Sequence, residues 1–320
     1  MKRIKLTFPY PDWPLIKQFP NNTTKWGNYD FDINPAFSSE LHYDYHFVYD
    51  FLLNDSEKTM VRDDNTFLIT GEPESIQKYA PDYLSQFKGI ITSHPSLIHS
   101  NKIFHPLGLP WHIGKSYDEL IDQNEIEKPK KICFLTSNKS FTKGHRERLT
   151  FLEKVKSKFK DKIDILGRGF SPFNSKWDIL SKYKYSIVIE NSVYPFYFTE
   201  KITDCYLALT FPIYYGAPNI ADFFDPESFL WLNSLQSTSS LCLIEKLLDD
   251  TTHYDKVKSS LHKQKNKVLN KYNLFPLIIH FIEKNTNSSG LKVVESRLQN
   301  LNMFPEQNLL TKFKSLWAQF

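Results

Sequence analysis

Short apolar runs alternate with turn-forming segments in the first third of the chain. Residues 4–8, 47–51, 67–70 and 89–92 form apolar runs bounded by Pro, Gly, Asn or Asp. Runs of this length and composition are typical of buried β-strands. Between them, residues 75–87 carry a modest helical pattern. The pattern predicts an α/β domain with a largely parallel sheet.

Strand and helix patterns alternate more regularly further along the chain. The predicted strands cover 132–136, 163–166, 185–189 and 211–215, and the predicted helices cover 145–159, 175–182 and 199–209. Such a succession gives a doubly wound sheet whose ligand lies beyond the carboxyl ends of the strands. Functional residues are therefore expected in the loops that follow these strands.

The predicted domain organisation follows from two composition changes. A charged passage at 117–131 separates the two strand-rich regions, and the chain reads as helical after Trp231. Residues 255–271 carry six lysines, which fits either a solvated helix face or contact with an anionic membrane surface. We expect one domain at 1–125, a second, ligand-binding domain at 126–285 and an amphipathic helical tail at 286–320.

Net charge and composition limit the kinds of molecule that the protein is expected to bind. The net charge of +4, from 40 basic and 36 acidic residues, is too small to indicate a nucleic-acid-binding protein but allows an anionic ligand. No apolar run approaches the roughly 18 residues of a membrane span, and no signal-peptide pattern is present. We expect a cytoplasmic protein with at most peripheral membrane contact through its basic and aromatic C-terminal region. The three cysteines, Cys133, Cys205 and Cys242, are predicted to be buried free thiols.

Polar residues concentrate where the strand at 185–189 ends. Glu190, Asn191 and Ser192 follow the strand, and Thr199 is placed to cap the next helix. Free amides at a helix start and the cation of Lys201 both favour a negative ligand. The segment lacks the glycine-rich dinucleotide fingerprint and the phosphate loop, so these residues predict a nucleotide-like anion without naming it.

The exact residues of this segment allow a more specific interpretation. Glu190-Asn191-Ser192, Tyr197, Thr199-Glu200-Lys201 and the stretch 212–219 resemble the signature of the α-1,3/1,4-fucosyltransferases, glycosyltransferase family 10. The resemblance implies a GT-B fold, in which two Rossmann-like domains face a cleft. It implies that the domain at 126–285 binds the nucleotide-sugar donor and that the domain at 1–125 is on the acceptor side. It also implies GDP-β-L-fucose as the donor, a glycan acceptor, inversion at the anomeric carbon and no essential metal or other cofactor.

The resemblance assigns roles to individual residues of the donor site. Glu200 and Lys201 are similar to the pair that contacts the ribose hydroxyls and nearby phosphate of the donor. Arg148 is similar to the arginine on the diphosphate, with Arg146 as the competing choice. Asn191 and Tyr197 are similar to donor-site residues of the same loop, and Glu190, Ser192 and Gly216 are further candidates. Glu190 either orders the loop or touches the ligand, and Asp204 is read as a solvated or locally ion-paired residue.

The general base is assigned to the first domain. Glu72, in Thr70-Gly71-Glu72-Pro73, resembles the family's proposed base at a strand end, whereas a surface turn is its ordinary structural interpretation. An inverting transfer needs such a carboxylate opposite the leaving diphosphate. The histidines are left outside the site: His42 and His46 lie in a strand pattern, and His94, His99, His105 and His112 are interpreted as loop residues.

Two alternatives stay open. Tyr215 stands where many relatives have Trp, so a transferase of the same fold could use another nucleotide sugar. A non-catalytic glycan- or nucleic-acid-binding module is the alternative from another class. The main hypothesis is a bacterial-type fucosyltransferase of lipopolysaccharide or capsule synthesis.

Overall fold

The computed structural model describes residues 1–106, 108–286 and 291–304. The chain divides into two compact units: the first contains Met1–Leu107 and Leu277–Phe320, and the second contains Gly108–Pro276. The predicted boundary between residues 125 and 126 was therefore misplaced. The charged passage around it belongs to the second unit, because Tyr117 Oη donates to Asn270 and Lys265 Nζ donates to the Gln123 carbonyl.

The first unit is built on a seven-stranded sheet. Its strands and those of a small neighbouring sheet are β1 (Lys2–Thr7), β2 (Lys25–Trp26), β3 (Tyr29–Ile33), β4 (His42–Tyr43), β5 (Tyr45–Tyr49), β6 (Ser56–Arg62), β7 (Thr66–Ile69), β8 (Gly89–Thr92) and β9 (Lys102–Phe104). The main sheet has the order β2-β3-β1-β5-β7-β8-β9, with all neighbours parallel except β2 and β3. The predicted parallel sheet is confirmed, whereas the helical pattern at 75–87 yields only the short helix α1 (Pro81–Leu84).

The second unit carries a five-stranded parallel sheet of order β11-β10-β12-β13-β14. Its strands are β10 (Lys130–Leu135), β11 (Asp164–Leu166), β12 (Tyr183–Ile189), β13 (Phe211–Tyr215) and β14 (Leu230–Trp231). Its helices are α2 (Tyr117–Asp122), α3 (Lys143–Phe159), α4 (Lys176–Leu180), α5 (Glu200–Leu207), α6 (Thr238–Asp249) and α7 (His253–Lys267). The predicted alternation of strands and helices is confirmed here, because the longer strands each carry a buried apolar stretch and α3, α5 and α6 begin at polar side-chain caps.

The chain returns to the first unit through helix α8 (Leu274–Asn285). Phe281 of this helix packs edge-on against Phe47 of β5 and Phe67 of β7, with ring centroids 5.8 and 5.0 Å away. The buried apolar side of α8 therefore covers one face of the seven-stranded sheet. None of the described helices is both long enough and apolar enough to span a membrane.

The predicted helical tail at 286–320 is wrong where the structure describes it. Val293–Gln299 forms strand β15, which pairs antiparallel with β6 from Val293 opposite Arg62 to Gln299 opposite Ser56. β4 completes this three-stranded sheet. The strand arises because β6 offers an unpaired edge that local sequence does not reveal. The rest of the predicted tail, at 287–290 and 305–320, lies outside the described residues.

The cysteine prediction holds for two residues of three. Cys133 and Cys205 are buried free thiols whose pKa burial raises, to about 12 for Cys133. Cys242 is also free but exposed, because it lies on the outer face of α6.

Candidate functional site

The predicted donor residues lie at the carboxyl edge of the second unit's sheet. β12 and β13 are parallel neighbours whose last residues, Ile189 and Tyr215, are register partners. Glu190 and Gly216 follow them at the same edge. A Cβ atom on Gly216 would lie 2.6 Å from Glu190 Cγ, so only glycine leaves room for this glutamate.

Glu190 is a buried carboxylate that orders the following loop. It accepts the backbone N–H of Thr199 at 2.8 Å, the Thr199 hydroxyl and the Lys201 ammonium at 3.0 Å. Thr199 in turn caps α5 by accepting the N–H of Lys201. The structure thus supports the loop-ordering interpretation of Glu190. Burial would lower the Lys201 pKa, but Glu190 and Glu200 raise it overall, so this residue is a cation at neutral pH.

Arg148 reaches the same loop from α3. Its Nη1 donates to Asn191 Oδ1 at 3.0 Å, and its Nη2 donates to the Ser137 carbonyl at 3.1 Å. Its Nε is buried and has no hydrogen-bond partner among the described residues. Burial lowers the Arg148 pKa to about 10, which leaves the side chain charged at neutral pH. An arginine bonded to neutral acceptors, with a donor unused, is suited to an anionic ligand.

Arg146 points to a different set of partners. Its Nη1 donates to the carbonyls of Ser140 and Phe141, and the side chain is exposed. Of the two competing arginines, the structure therefore brings Arg148 to the predicted site. Close packing between α3 and the loop contributes to this, because a Cβ atom on Gly144 would lie 2.0 Å from the Asn191 carbonyl oxygen.

A second ion-paired cluster adjoins Lys201, and sequence reasoning missed its cation, Lys176. Lys176 Nζ lies 2.7 Å from Asp204 Oδ2 and 3.7 Å from Glu200 Oε1. Asp204 is fully buried and also accepts the backbone N–H of His112, so it is ion-paired rather than solvated. Burial raises the Glu200 pKa, but Lys201 and Lys176 lower it more, so Glu200 is a carboxylate at neutral pH. Helices after strands begin at this edge, and that rule could have directed attention to the first residue of α4.

A buried histidine, His145, and a partly buried one, His112, lie near these cations. The pKa of His145 falls to about 4, through burial and then Arg148 and Lys201. The pKa of His112 falls to about 3, through burial and then Lys176. The starts of α3 and α5 add free backbone amides at the same edge. The arrangement can hold a ligand with several negative charges and offer Glu200 to its hydroxyls.

The rest of the predicted loop is packed rather than open. Tyr197 is only 1% exposed, and its ring lies 5.0 Å from that of Tyr194. Phe196 has a φ of 68°, and its N–H donates to Asn219 Oδ1, which fixes the turn before Tyr197. Ser192 is partly buried in the same loop. Donor contact by Tyr197 and Ser192 stays a prediction.

Glu72 lies in the first unit, just after β7. It is partly exposed, at the carboxyl edge of the seven-stranded sheet. Its backbone carbonyl accepts His94 Nε2–H at 2.6 Å, and the preceding Gly71 N–H donates to Asp50 Oδ1 at 2.6 Å. His94 is therefore a buried partner of the Glu72 loop rather than an ordinary loop histidine. The base role of Glu72 stays a prediction.

Comparison with a solved structure identifies the fold. A crystal structure titled alpha1,3-fucosyltransferase superposes with a TM-score of 0.51 at 18% identity, covering 81% of this chain and 80% of that one. A likeness at this identity shows the fold alone, and it confirms the predicted GT-B fold class of glycosyltransferases.

The sequence comparisons match part of the second unit to a known family. Residues 126–269 match the model of "Glycosyltransferase family 10 (fucosyltransferase) C-term". Alpha-(1,3)-fucosyltransferase FucT of Helicobacter pylori is 35% identical over 95 residues, which are 30% of this chain and 17% of that protein. Alpha-(1,3)-fucosyltransferase B of Drosophila melanogaster is 30% identical over 135 residues, 41% of this chain and 30% of that protein. Residues 126–269 are therefore similar to the C-terminal domain of glycosyltransferase family 10, and the chain spans less than a third of the length of either relative.

Proposed function

We propose that the protein transfers L-fucose from GDP-β-L-fucose to a hydroxyl of a glycan, forming an α-1,3-type linkage with inversion. The observation that carries this proposal is the buried Arg148 guanidinium, which is bonded to neutral acceptors and has an unused Nε. It lies inside the segment that matches the fucosyltransferase domain. Relatives of that segment are named α-1,3-fucosyltransferases.

The second unit supplies the charges that a nucleotide diphosphate requires. Arg148 and Lys201 face the negative charge that GDP gains as the bond to the sugar breaks. Glu200, held as a carboxylate between two lysines, accepts hydrogen bonds from the ribose hydroxyls. In this proposal the protein cations, rather than an essential metal, neutralise the diphosphate.

Glu72 supplies the base in this proposal. The acceptor O–H bond breaks and its proton goes to the Glu72 carboxylate, while the acceptor oxygen forms a bond to the anomeric carbon. The bond from that carbon to the phosphate oxygen breaks, and GDP leaves with its electron pair. The attack comes from the face opposite GDP, which gives inversion. The acceptor glycan is proposed to belong to a lipopolysaccharide or capsule, made in the cytoplasm or at the inner face of the membrane.

The donor is tested by thermal stabilisation and by transfer. A ligand that binds the folded state raises its melting temperature. We expect GDP and GDP-fucose to stabilise the protein, and GDP-mannose, UDP-galactose and CMP to have little effect. Transfer of labelled fucose to N-acetyllactosamine-type glycans then tests the reaction. Stabilisation by another nucleotide sugar alone would overturn the fucose assignment and keep the fold.

Lys201→Ala tests the diphosphate site. We expect GDP affinity to fall about 10- to 100-fold, because a charge-assisted contact contributes roughly 1.5–3 kcal/mol. The matched control is Lys158→Ala, which removes an exposed lysine of the same unit that pairs with Glu245. Titration calorimetry with GDP measures both variants. Unchanged GDP affinity in a folded Lys201→Ala protein would contradict the assignment.

A further inference from the structure

Asp50 is a buried carboxylate next to the Glu72 loop. It follows β5, is 1% exposed and has a φ of 56°, in the left-handed region. Its Oδ1 accepts hydrogen bonds from the Gly71 N–H at 2.6 Å and from the Tyr79 hydroxyl. The Glu72 N–H also donates a hydrogen bond to this carboxylate. Asp50 thus holds the amides on the N-terminal side of Glu72.

His94 holds the same loop from the next strand. It follows β8, and its Nε2–H donates to the Glu72 carbonyl at 2.6 Å. Its own backbone N–H donates to Thr92 Oγ1, which lies 2.8 Å from Thr70 Oγ1. Burial lowers the His94 pKa, which favours the neutral ring with one N–H. The backbone of Glu72 is therefore fixed on both sides by buried polar side chains.

We propose that Asp50 is a positioning residue which, together with His94, fixes the Glu72 carboxylate for proton transfer from the acceptor. This inference rests on the proposed function, because it concerns the base of that reaction. A positioned base needs a backbone that does not move, and a displacement of about 1 Å can cost about 100-fold in rate.

The features of Asp50 are costly for a residue that only packs. Its Oδ2 is buried and has no hydrogen-bond partner among the described residues, and burial raises its pKa to about 6. An unpartnered buried carboxylate oxygen and a left-handed backbone both cost free energy. Asp50 and Glu72 both raise the pKa of Tyr10, after burial, so the two carboxylates act on the same neighbourhood. Such strain is characteristic of functional sites.

A double-mutant cycle tests the inference. Asp50→Asn keeps the shape and tolerates the left-handed backbone, and we expect kcat to fall about 10- to 100-fold with unchanged GDP affinity. In the Glu72→Gln background the same change should cause no further loss, because Asp50 acts through Glu72. The control is Ser96→Ala, which removes a contact to Glu74 in the neighbouring loop and should leave kcat unchanged.

Two variants of His94 test the same inference if Asp50→Asn does not fold. His94→Leu should lower kcat similarly, and His94→Gln should restore much of it, since its amide can donate to the Glu72 carbonyl. Equal proportional losses in wild-type and Glu72→Gln backgrounds would overturn the inference and assign Asp50 a structural role. Wild-type kcat in Asp50→Asn would also overturn it. Full activity of Glu72→Gln would overturn both this inference and the base assignment, while fucosyl transfer itself would stand.

Discussion

Charge pairing differs among the cations of the proposed donor site. Lys201 lies between Glu190 and Glu200, and Lys176 lies between Asp204 and Glu200. Their charges are largely used to keep buried carboxylates ionised. Arg148, by contrast, donates to an amide oxygen and to carbonyls. Its charge is therefore the least offset of the three by ion pairs among the described residues.

Lys176→Met tests the cation that sequence reasoning missed. The change leaves the buried Asp204 without its ion-pair partner, so we expect the free energy of unfolding to fall by about 3 kcal/mol. Glu200 also loses an orienting charge, so GDP affinity should fall about tenfold. Denaturant unfolding and calorimetry measure the two effects. The control is Lys182→Met, an exposed lysine in the turn after α4, and equal behaviour of the two variants would refute the role of Lys176.

The sequence predicted the strands that contain a buried apolar run. β7, β8, β12 and β13 are buried in parallel sheets, so their local composition carries the signal. β6 and β15 were missed because they are partly exposed and carry charged residues, so neither forms an apolar run. Their strand conformation depends on pairing between residues more than 200 positions apart, which no local pattern encodes.

The same distinction separates the site residues. Glu190, Asn191 and Lys201 lie in one contiguous segment, and a strand end followed by a helix cap marks that segment in the sequence. Asp50 and His94 become partners of Glu72 only because their strands are neighbours in the sheet. Local sequence therefore marked the proposed donor segment but not the side chains that hold the Glu72 loop.

Gly144→Ala tests how α3 meets the donor loop. Alanine favours a helix by about 1 kcal/mol over glycine, yet its Cβ would lie 2.0 Å from the Asn191 carbonyl oxygen. We expect the melting temperature and GDP affinity both to fall, because α3 or the loop must move. Ser157→Ala, on the exposed side of α3, is the control and should be neutral or slightly stabilising. Differential scanning fluorimetry with and without GDP compares them, and a stabilised Gly144→Ala protein would contradict the packing argument.

At the scale of the whole molecule, the first unit is discontinuous in sequence. Helix α8 and strand β15 reach it only after the second unit has been traversed. Phe281 fills its core, and the Asn300 side chain bonds the backbone of Leu52. Folding of the first unit therefore requires contacts between residues more than 200 positions apart, which is slow relative to local pairing.

The buried titratable groups give the second unit a definite pH response. Burial lowers the pKa of His112 to about 3, below its usual value of 6.5. Between these two pH values His112 is protonated in the unfolded state but not in the folded state. Stability therefore falls as pH drops from 6.5 towards 3, by roughly 1 kcal/mol per pH unit from this residue. Asp204 has the opposite effect on stability. Burial raises its pKa to about 6, so as the pH falls this carboxylate is protonated in the folded protein before it is protonated in the unfolded chain.

We expect His112→Gln to lose less stability on acidification than the wild-type protein. The melting temperature of the wild type should fall between pH 7 and pH 5, since His112 and His145 together outweigh the opposing Asp204. Glutamine keeps the backbone N–H that Asp204 accepts but has no proton to take up, so its curve should be shallower. His42→Gln, at an exposed position of β4, is the control. Parallel curves for His112→Gln and wild type would show that the His112 ring is not excluded from protonation, and would remove it from the electropositive edge.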